Sequence, residues 1–328
     1  MALGLHPTAP RILGVSASAG DLAHTHLVAV YERDEELAAT VAEYLLDVLE
    51  QGGTGAVVAT LEHRRAIAHA LSSRGVVLDD LVRAGRYRSL DARDTLARFM
   101  RSGEPDPDAF ARVVADLVGP ASDGAPVHVF GEMVALLWDD GNVAGALDLE
   151  SLWNRIADHH PFALLCAYGH SSLERAGDLA ATKGMCDRHS AVIPLVGATP
   201  RGRVGPDLAR RLFLVAPTAP QDVRGFVRGV LDEWGASTRD REAEIVASEL
   251  ATNAVRHARS PFVVTLTRGS GTVRIAVRDT SVERPIRIVR DDFASGGRGV
   301  RLVAALANDW GIVDEVDGKS VWADVAIA

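Results

Sequence analysis

The sequence predicts two domains: an N-terminal α/β domain with a parallel sheet covered by helices on both faces, and a C-terminal α+β sandwich with helices on one face of a mixed sheet. The chain has 328 residues, enough for about two domains of roughly 150 residues each. Strand-like runs alternate with helical patterns up to about residue 196, and the order of elements changes after that point. Gly, Pro and Arg crowd together at GATPRGRVGPD (197–207), where the apolar periodicity breaks.

These observations set the expected boundaries. Residues 1–20 are rich in Gly, Pro, Ala and Ser, which predicts a flexible arm. We expect the first domain at 21–198, a linker at 199–207 and the second domain at 208–328.

Composition and charge exclude several classes of protein. With 47% hydrophobic and 24% charged residues, the chain is typical of soluble globular proteins. Its formal net charge of -9, with scattered Arg residues, argues against general binding of nucleic acid. Cys166 and Cys186 belong to no CxxC pair, which predicts neither a disulfide framework nor a zinc site. Because no apolar run approaches a membrane span of about 20 residues and no signal peptide is evident, we expect no membrane association and a cytoplasmic location.

The N-terminal elements alternate in the way that predicts a parallel sheet. The strand-like runs are HLVAVYE (26–32), GAVVAT (55–60), YRSLDA (87–92), PVHVFGEM (126–133) and FALLCAYG (162–169). Helical spacing occurs at 34–52, 61–75, 107–118 and 146–160.

The C-terminal elements follow a different order. A strand at 211–217 precedes helices at 220–235 and 239–258, and a hairpin follows, with its turn at GSG. The remaining elements are a loop at 285–298, a helix at 298–311 and a last hairpin turning at Asp317-Gly318.

The stretch ELATNAVRHA (249–258) is the first candidate site. On a helix, Glu249, Asn253, Arg256 and His257 share a face, because residues three and four apart are neighbours. One interpretation is a solvated polar face. The other is a row of side chains aimed at a ligand, which would explain an asparagine in mid-helix, where this residue is unfavourable.

Two downstream features favour the ligand. Asp279 ends a strand, where a carboxylate can face a pocket. In SGGRGVRLV (295–303), glycines precede a helix whose first N–H groups are free to bind an anion.

In this order, the features resemble the GHKL, or Bergerat-fold, ATP-binding domain over about residues 208–328. In that family a helical Asn holds Mg²⁺, an Asp hydrogen-bonds the adenine amino group, and later glycines touch the phosphates. The resemblance therefore implies Asn253 as the Mg²⁺ ligand and Asp279 as the adenine contact. It also implies phosphate contacts from Gly297, Arg298 and Gly299.

The closing strand GKSVWADV resembles the subgroup related to bacterial anti-sigma-factor serine kinases. That resemblance implies Glu249 as the base for a serine hydroxyl, with Ser281 and Lys319 beside the nucleotide. The chain departs from the family where DxGxG is replaced by DTSVE, so that Glu283 would repel phosphate if it faced the nucleotide. We expect ATP binding to survive this change.

The N-terminal sequence, from HLVAVYERDEE to VHVFGEM, resembles the MEDS sensory domain, a RecA-like fold found in bacterial regulators, over roughly 24–195. The motif G-x-x-x-x-G-K-[ST] is absent and ERDEE follows the first strand, so we expect no ATP in this domain. Candidate sensory residues are His24, His26, Glu132, Cys166 and His170. His24, His26, Cys166, His170 and His189 either converge at strand ends on a metal or small molecule or are separate, satisfied polar residues. Glu132 ends a strand, where it is either structural or a polar contact to a ligand.

The sequence thus predicts a signalling regulator in which a sensory domain is coupled to an ATP–Mg²⁺-dependent serine kinase that acts on an anti-sigma antagonist or binds a sigma factor. A homodimer is expected by analogy alone. Two alternatives stay open. One is a non-catalytic module that grips a sigma factor or antagonist. The other is a sensor histidine kinase, although no phosphoacceptor helix pair is recognisable in the sequence.

Overall fold

The computed structural model of the protein describes residues 11–12, 15–16, 25–118, 125–157, 160–195, 203–281 and 298–328. These residues form two compact units, of which the first contains 1–172 and 184–195 and the second contains 173–183 and 196–328. Most of the predicted arm lies outside the described residues, although Arg11–Ile12 pairs antiparallel with Val15–Ser16. Within the described ranges, no helix is both long and apolar enough to cross a membrane.

The first unit is built on a six-stranded sheet in which every neighbouring pair is parallel. Its strands, in chain order, are β1 (His26–Tyr31), β2 (Thr54–Ala59), β3 (Tyr87–Asp91), β4 (Val127–Gly131), β5 (Ala163–Gly169) and β6 (Ala191–Leu195). The spatial order is β6-β1-β5-β4-β2-β3. The central strands are almost fully buried, as expected when helices cover both faces of a sheet.

Nine helices, counted within the described ranges, occur between residues 34 and 186, and residues 173–183 of the last two belong to the second unit. They are α1 (Asp34–Glu50), α2 (Leu61–Ser72), α3 (Leu78–Arg83), α4 (Ala92–Phe99), α5 (Pro107–Val118), α6 (Met133–Asp139), α7 (Val143–Ala157), α8 (His170–Ala176) and α9 (Leu179–Cys186). Side chains of α1 and α2 pack with one face of the sheet in an apolar core that includes Leu37, Leu45 and Ile67. Helix α7 lies over the opposite face, where Glu150 approaches β1 and β5.

The predicted α/β class and parallel sheet of this unit are confirmed, and all five predicted strands are present within a residue or two. The prediction lacked β6 and the short helices α3, α4, α6, α8 and α9. Strand β6 contains Pro194, which cannot donate to a ladder and usually argues against a strand. It is tolerated here because β6 is the edge strand of the sheet.

The second unit contains a six-stranded sheet in which every described pair is antiparallel. Its strands are β7 (Arg203–Val204), β8 (Leu208–Phe213), β9 (Phe262–Arg268), β10 (Thr272–Asp279), β11 (Asp309–Glu315) and β12 (Gly318–Ala326), in the spatial order β7-β8-β9-β10-β12-β11. Three helices pack their apolar residues with this sheet in one core: α10 (Ala219–Glu233), α11 (Glu242–Asn253) and α12 (Arg298–Leu306).

The α+β class of this unit is confirmed, with four differences in detail. The sheet is antiparallel where a mixed sheet was predicted. Helix α12 ends at Leu306 rather than at residue 311, because β11 begins at Asp309 and pairs with β12. Glu315 pairs with Gly318, so the last turn consists of Val316 and Asp317. Strand β8 begins three residues earlier than predicted. The predicted loop at 285–298 lies almost wholly outside the described residues.

Candidate functional site

Helix α11 carries the two side chains that the sequence placed at the centre of the site. Glu249 and Asn253 are one helical turn apart and are both half-buried. The other side of α11 is anchored by buried residues, including Val246, Leu250 and Ala251, which join the core against the sheet. Packing of the apolar side therefore fixes the rotation of α11 about its own axis. As a result, the Glu249 and Asn253 side chains lie together on the side away from the core.

A π-helical turn, Ala254–Ala258, follows Asn253 directly. Arg259 closes it by donating its backbone N–H to the Ala254 carbonyl, and Arg259 itself has a left-handed backbone, with φ of 46°. The helix prediction of 239–258 thus holds in extent, but its first turn is 3-10 helix and its last is π. π-helical turns are rare and frequently occur at functional sites. Arg256 and His257, within the π turn, are exposed, whereas Asn253 is half-buried.

The first turn of α12 faces both α11 side chains. A Cβ atom added to Gly299 would lie 2.7 Å from Glu249 Oε2 and 3.9 Å from Asn253 Oδ1. Glycine therefore allows the backbone of this helix start to approach the carboxylate and the amide oxygen closely. The structure thus brings together three of the predicted residues: Glu249, Asn253 and Gly299.

Asp279 ends β10 as a buried carboxylate with a buried cation beside it. Lys319 Nζ lies 2.9 Å from Asp279 Oδ1, and the two residues are paired across β10 and β12. The backbone N–H of Ser281 donates to the same Oδ1 at 2.8 Å, and Lys319 also donates to the Ser281 carbonyl at 3.3 Å. The sequence analysis placed Lys319 and Ser281 near the nucleotide. It did not predict that both residues hydrogen-bond Asp279, the predicted adenine contact.

Gly318 makes this close pairing of β10 and β12 possible. A Cβ atom there would overlap the carbonyl oxygen of Asp279 and lie 2.8 Å from Thr280 Cα.

We expect Gly318→Ala to lower the free energy of unfolding by at least about 2 kcal/mol, because backbone atoms of the neighbouring strand cannot move aside as a flexible side chain can. Urea unfolding of both proteins measures this difference. Gly229→Ala is the matched control, since nothing lies within 4 Å of its Cβ position in α10 and a helical Gly→Ala change stabilises by up to about 1 kcal/mol. Equal stability of Gly318→Ala and wild type would contradict the close packing.

The remaining nucleotide-site predictions fall at the edge of the described chain. Gly297 and Glu283 lie outside the described residues. Arg298 begins α12, and its side chain is likewise outside the description.

In the first unit, His26 and Cys166 do come together, with two partners that complete a buried cluster. His26 Nε2 lies 3.3 Å from Cys166 Sγ and 3.1 Å from Glu150 Oε2. His189 Nε2 lies 3.4 Å from the same carboxylate oxygen. Burial alone would raise the pKa of Glu150, but His189 and His26 outweigh it and hold the pKa of the carboxyl well below its usual range.

Glu132 does not join this cluster. It binds at the carboxyl ends of β2 and β4, where its Oε1 accepts the Thr60 N–H and its Oε2 lies 2.5 Å from His63 Nδ1. His63 Nε2 also faces Asp34 at 3.4 Å. The hydrogen bond with Glu132 raises the pKa of His63 to about 9, against the opposing effect of burial.

This shift predicts a pH dependence of stability. Because the folded pKa of His63 exceeds its unfolded value of about 6.5, its contribution is fully present below about pH 6.5 and is lost as the pH rises through about 9. We expect His63→Gln to cost roughly 1 kcal/mol at pH 6, after allowing for solvent screening, and almost nothing at pH 10. Urea midpoints at both pH values measure the effect, and His69→Gln, an exposed position on the same helix, is the control. A cost independent of pH would contradict the assignment.

The other sensory candidates do not meet the cluster in the described chain. His170 is buried at the start of α8, and His24 lies outside the described residues. Sequence reasoning missed Glu150, although a pattern could have revealed it. Ala146, Leu149 and Trp153 form a buried helical stripe, and Glu150 occupies a position within that stripe, where a charge is unusual.

Comparison with known families finds a match for each of two parts of the chain. Residues 25–182 match the model of the MEDS family, the methanogen/methylotroph, DcmR sensory domain. Residues 214–324 match the model of the histidine kinase-like ATPase domain. No curated protein matches the chain at a significant level.

Proposed function

We propose that this chain, a MEDS sensory domain followed by a histidine kinase-like ATPase domain, is a cytoplasmic regulator that binds Mg²⁺-ATP and phosphorylates a serine of an anti-sigma antagonist. The two domain types together indicate a signalling regulator, and an ATPase domain of this kind implies ATP binding. The kinase step rests on one observation above all: the glycine start of α12 lies against Glu249 and Asn253.

The residue types at this point suit phosphoryl transfer. Such reactions depend on alignment and charge neutralisation more than on covalent catalysis by the protein. The Asn253 amide oxygen is a suitable Mg²⁺ ligand, since this ion prefers oxygen donors and retains several waters. The free N–H groups at the start of α12 can hold phosphate oxygens. Glu249 can accept the proton of an incoming serine hydroxyl.

The Asp279 carboxylate supplies the base recognition in this proposal. Both contacts described above engage Oδ1, and within the described residues Oδ2 remains to accept the exocyclic amino group of adenine. Lys319 has three N–H donors and uses two of them, on Asp279 and Ser281. The third could reach an acceptor nitrogen of the adenine ring. Adenine would thus meet one acceptor for its exocyclic amino group and one donor for a ring nitrogen.

A non-catalytic module that grips a sigma factor or antagonist is the second candidate. It is favoured by the DTSVE sequence and by the buried Lys319–Asp279 pair, which neutralises the carboxylate without a nucleotide. A histidine kinase receives less support, because His257 is exposed and the described helices include no long hairpin with a phosphoacceptor histidine.

The test is titration of the full chain with Mg²⁺-ATP and Mg²⁺-GTP by calorimetry, followed by incubation with γ-labelled ATP and serine-bearing antagonist proteins. We expect preferential binding of ATP and acid-stable label on the antagonist. Binding without transfer to any antagonist would support the module instead. Acid-labile label on the chain itself would support a histidine kinase, and absence of nucleotide binding would overturn the proposal as a whole.

A further inference from the structure

We propose that His26, Glu150, Cys166 and His189 form a closed, four-ligand site for a divalent transition-metal ion of the Zn²⁺ type in the sensory domain. Each residue offers one ligand atom, and the four atoms lie within 4.8 Å of one another. The site is remote in sequence from the nucleotide residues and does not depend on the proposed function.

The separations between the ligand atoms fit a tetrahedral ion. Bonds of about 2.0–2.3 Å to Zn²⁺ place neighbouring ligand atoms about 3.3–3.7 Å apart. The carboxylate oxygen of Glu150 lies 3.1 Å from His26, 3.4 Å from His189 and 3.6 Å from Cys166. The distance from His26 to Cys166 is 3.3 Å. Small adjustments of these side chains would therefore complete the coordination.

The surrounding hydrogen bonds direct both histidines toward the ion. His26 Nδ1 lies 2.8 Å from Asn154 Oδ1, and the Asn154 amide nitrogen donates to the Arg188 carbonyl, which fixes the amide orientation. His189 Nδ1 lies 2.7 Å from the Met185 carbonyl. Both Nδ1 partners are acceptors, so Nδ1 is the donor atom of each ring. In a metal-bound site Nε2 of each ring would then be the ligand atom, with Nδ1 held by its outer hydrogen bond.

Three ligand atoms converge on one buried oxygen. Nε2 of His26 and Nε2 of His189 both face Oε2 of Glu150, which is fully buried, and His189 Nε2 makes no hydrogen bond in the described structure. A divalent ion bound between these atoms would bring them into one coordination sphere. A thiolate, a carboxylate and two neutral imidazoles also balance a divalent charge in this buried place.

The second oxygen of Glu150 is already occupied. Tyr168 donates its hydroxyl to Glu150 Oε1 at 2.8 Å, so Oε2 alone is turned toward His26, Cys166 and His189. The carboxylate is thereby oriented for one-oxygen coordination, in the way that outer hydrogen bonds orient metal ligands.

The ligand types select the metal. Sulfur and imidazole suit Zn²⁺ and its neighbours among the transition metals, whereas Mg²⁺ and Ca²⁺ prefer oxygen. Four protein ligands in a dry interior leave no open position, which is the arrangement of a structural site. Cysteine spacing predicted no zinc site because that criterion counts cysteine pairs, and this cluster has a single cysteine.

The ion would tie together elements that are distant in the chain. It would join β1, β5, α7 and the turn that leads into β6. His26 and Cys166 lie on the same face of neighbouring strands, because His26 pairs with Leu164 and Val28 pairs with Cys166.

Metal analysis of the purified full chain, with Co²⁺ as the spectroscopic probe, tests the proposal. We expect one equivalent of Zn²⁺ after metal-free chain is reloaded. Co²⁺ should give intense tetrahedral d–d bands and a near-ultraviolet charge-transfer band from the Cys166 thiolate. Cys166→Ser should lose the charge-transfer band. Cys186→Ser, the other cysteine, and His128→Gln, a buried histidine that faces the Tyr44 carbonyl, should keep it.

Stability gives a second readout that does not depend on the variants folding. At free Zn²⁺ about 100-fold above its Kd, the thermal midpoint of the wild-type sensory domain should rise by roughly 5–10 °C over the metal-free chain. Folded wild-type chain that binds neither Zn²⁺ nor Co²⁺ stoichiometrically would overturn the proposal. So would a Co²⁺ charge-transfer band that persists in folded Cys166→Ser and vanishes in Cys186→Ser. Neither outcome would alter the ATP titration.

Discussion

Glu249→Gln is expected to lower phosphotransfer to the antagonist by about 100-fold to 10,000-fold while leaving the affinity for Mg²⁺-ATP within about threefold of wild type. The substitution keeps the size of the side chain beside Gly299 but removes the carboxylate that would take the serine proton. Because one negative charge near the phosphates disappears, any change in ATP affinity should be toward tighter binding. Initial rates with γ-labelled ATP, together with calorimetric titration, separate the two effects.

Glu242→Gln is the matched control, because it makes the same change in the first turn of α11, two turns from the site. Its phosphotransfer should stay within about twofold of wild type. If Glu249→Gln transferred phosphate as fast as this control, the carboxylate would not be the base, and the kinase mechanism would need another acceptor for the proton.

Asp279→Asn is expected to weaken ATP binding by about 30-fold or more and to destabilise the second unit by about 3–5 kcal/mol. The affinity falls because a charged acceptor for the adenine amino group becomes a neutral amide, which removes a charge-assisted hydrogen bond of about 1.5–3 kcal/mol. The stability falls because Lys319, also buried, keeps its charge without its counterion.

A double variant distinguishes the two roles of Asp279. Asp279→Asn combined with Lys319→Met removes both buried charges and should recover most of the stability without recovering ATP affinity. Urea unfolding and calorimetry on the same samples test this. Asp324→Asn is the control, since it breaks a pair on the same sheet whose Arg274 partner is half exposed, and it should cost under about 1 kcal/mol. Wild-type ATP affinity in the double variant would remove Asp279 from base recognition.

Sequence periodicity predicted best the elements whose residue pattern is set mainly by the burial of apolar side chains. Strands β1, β2 and β5 are continuous apolar runs because helices cover both faces of the sheet, and α11 follows from an apolar stripe. Strand β6 was missed because its Pro194 contradicts local propensity, and only its edge position in the finished sheet makes the proline harmless. The π turn after Asn253 depends on how the helix end packs and has no local pattern of its own.

The nucleotide site could also be predicted only in part. Motif order alone placed Asn253 with Glu249 and a glycine-started helix, and the structure brings these together. The Lys319–Asp279 contact required the register of β10 with β12, a long-range pairing that no local window contains. Glu150 and His189 likewise meet His26 only through the fold of the whole sheet. A sequence pattern could mark Glu150 as an unusual buried charge. Only the tertiary contacts show that Glu150 and His189 belong to the same cluster as His26.

The position of β1 has a consequence for how the protein is made. This apolar strand is synthesised well before its two neighbours in the sheet, which are the last two described strands of the domain. His26 and Ser190, which bond to each other, are 164 residues apart. At about 5–20 residues per second, synthesis needs roughly 8–30 s to cover that distance. Until β5 has been synthesised, β1 has both hydrogen-bonding edges open. We therefore expect that slowing synthesis between residues 31 and 163 increases aggregation more than slowing it after residue 195.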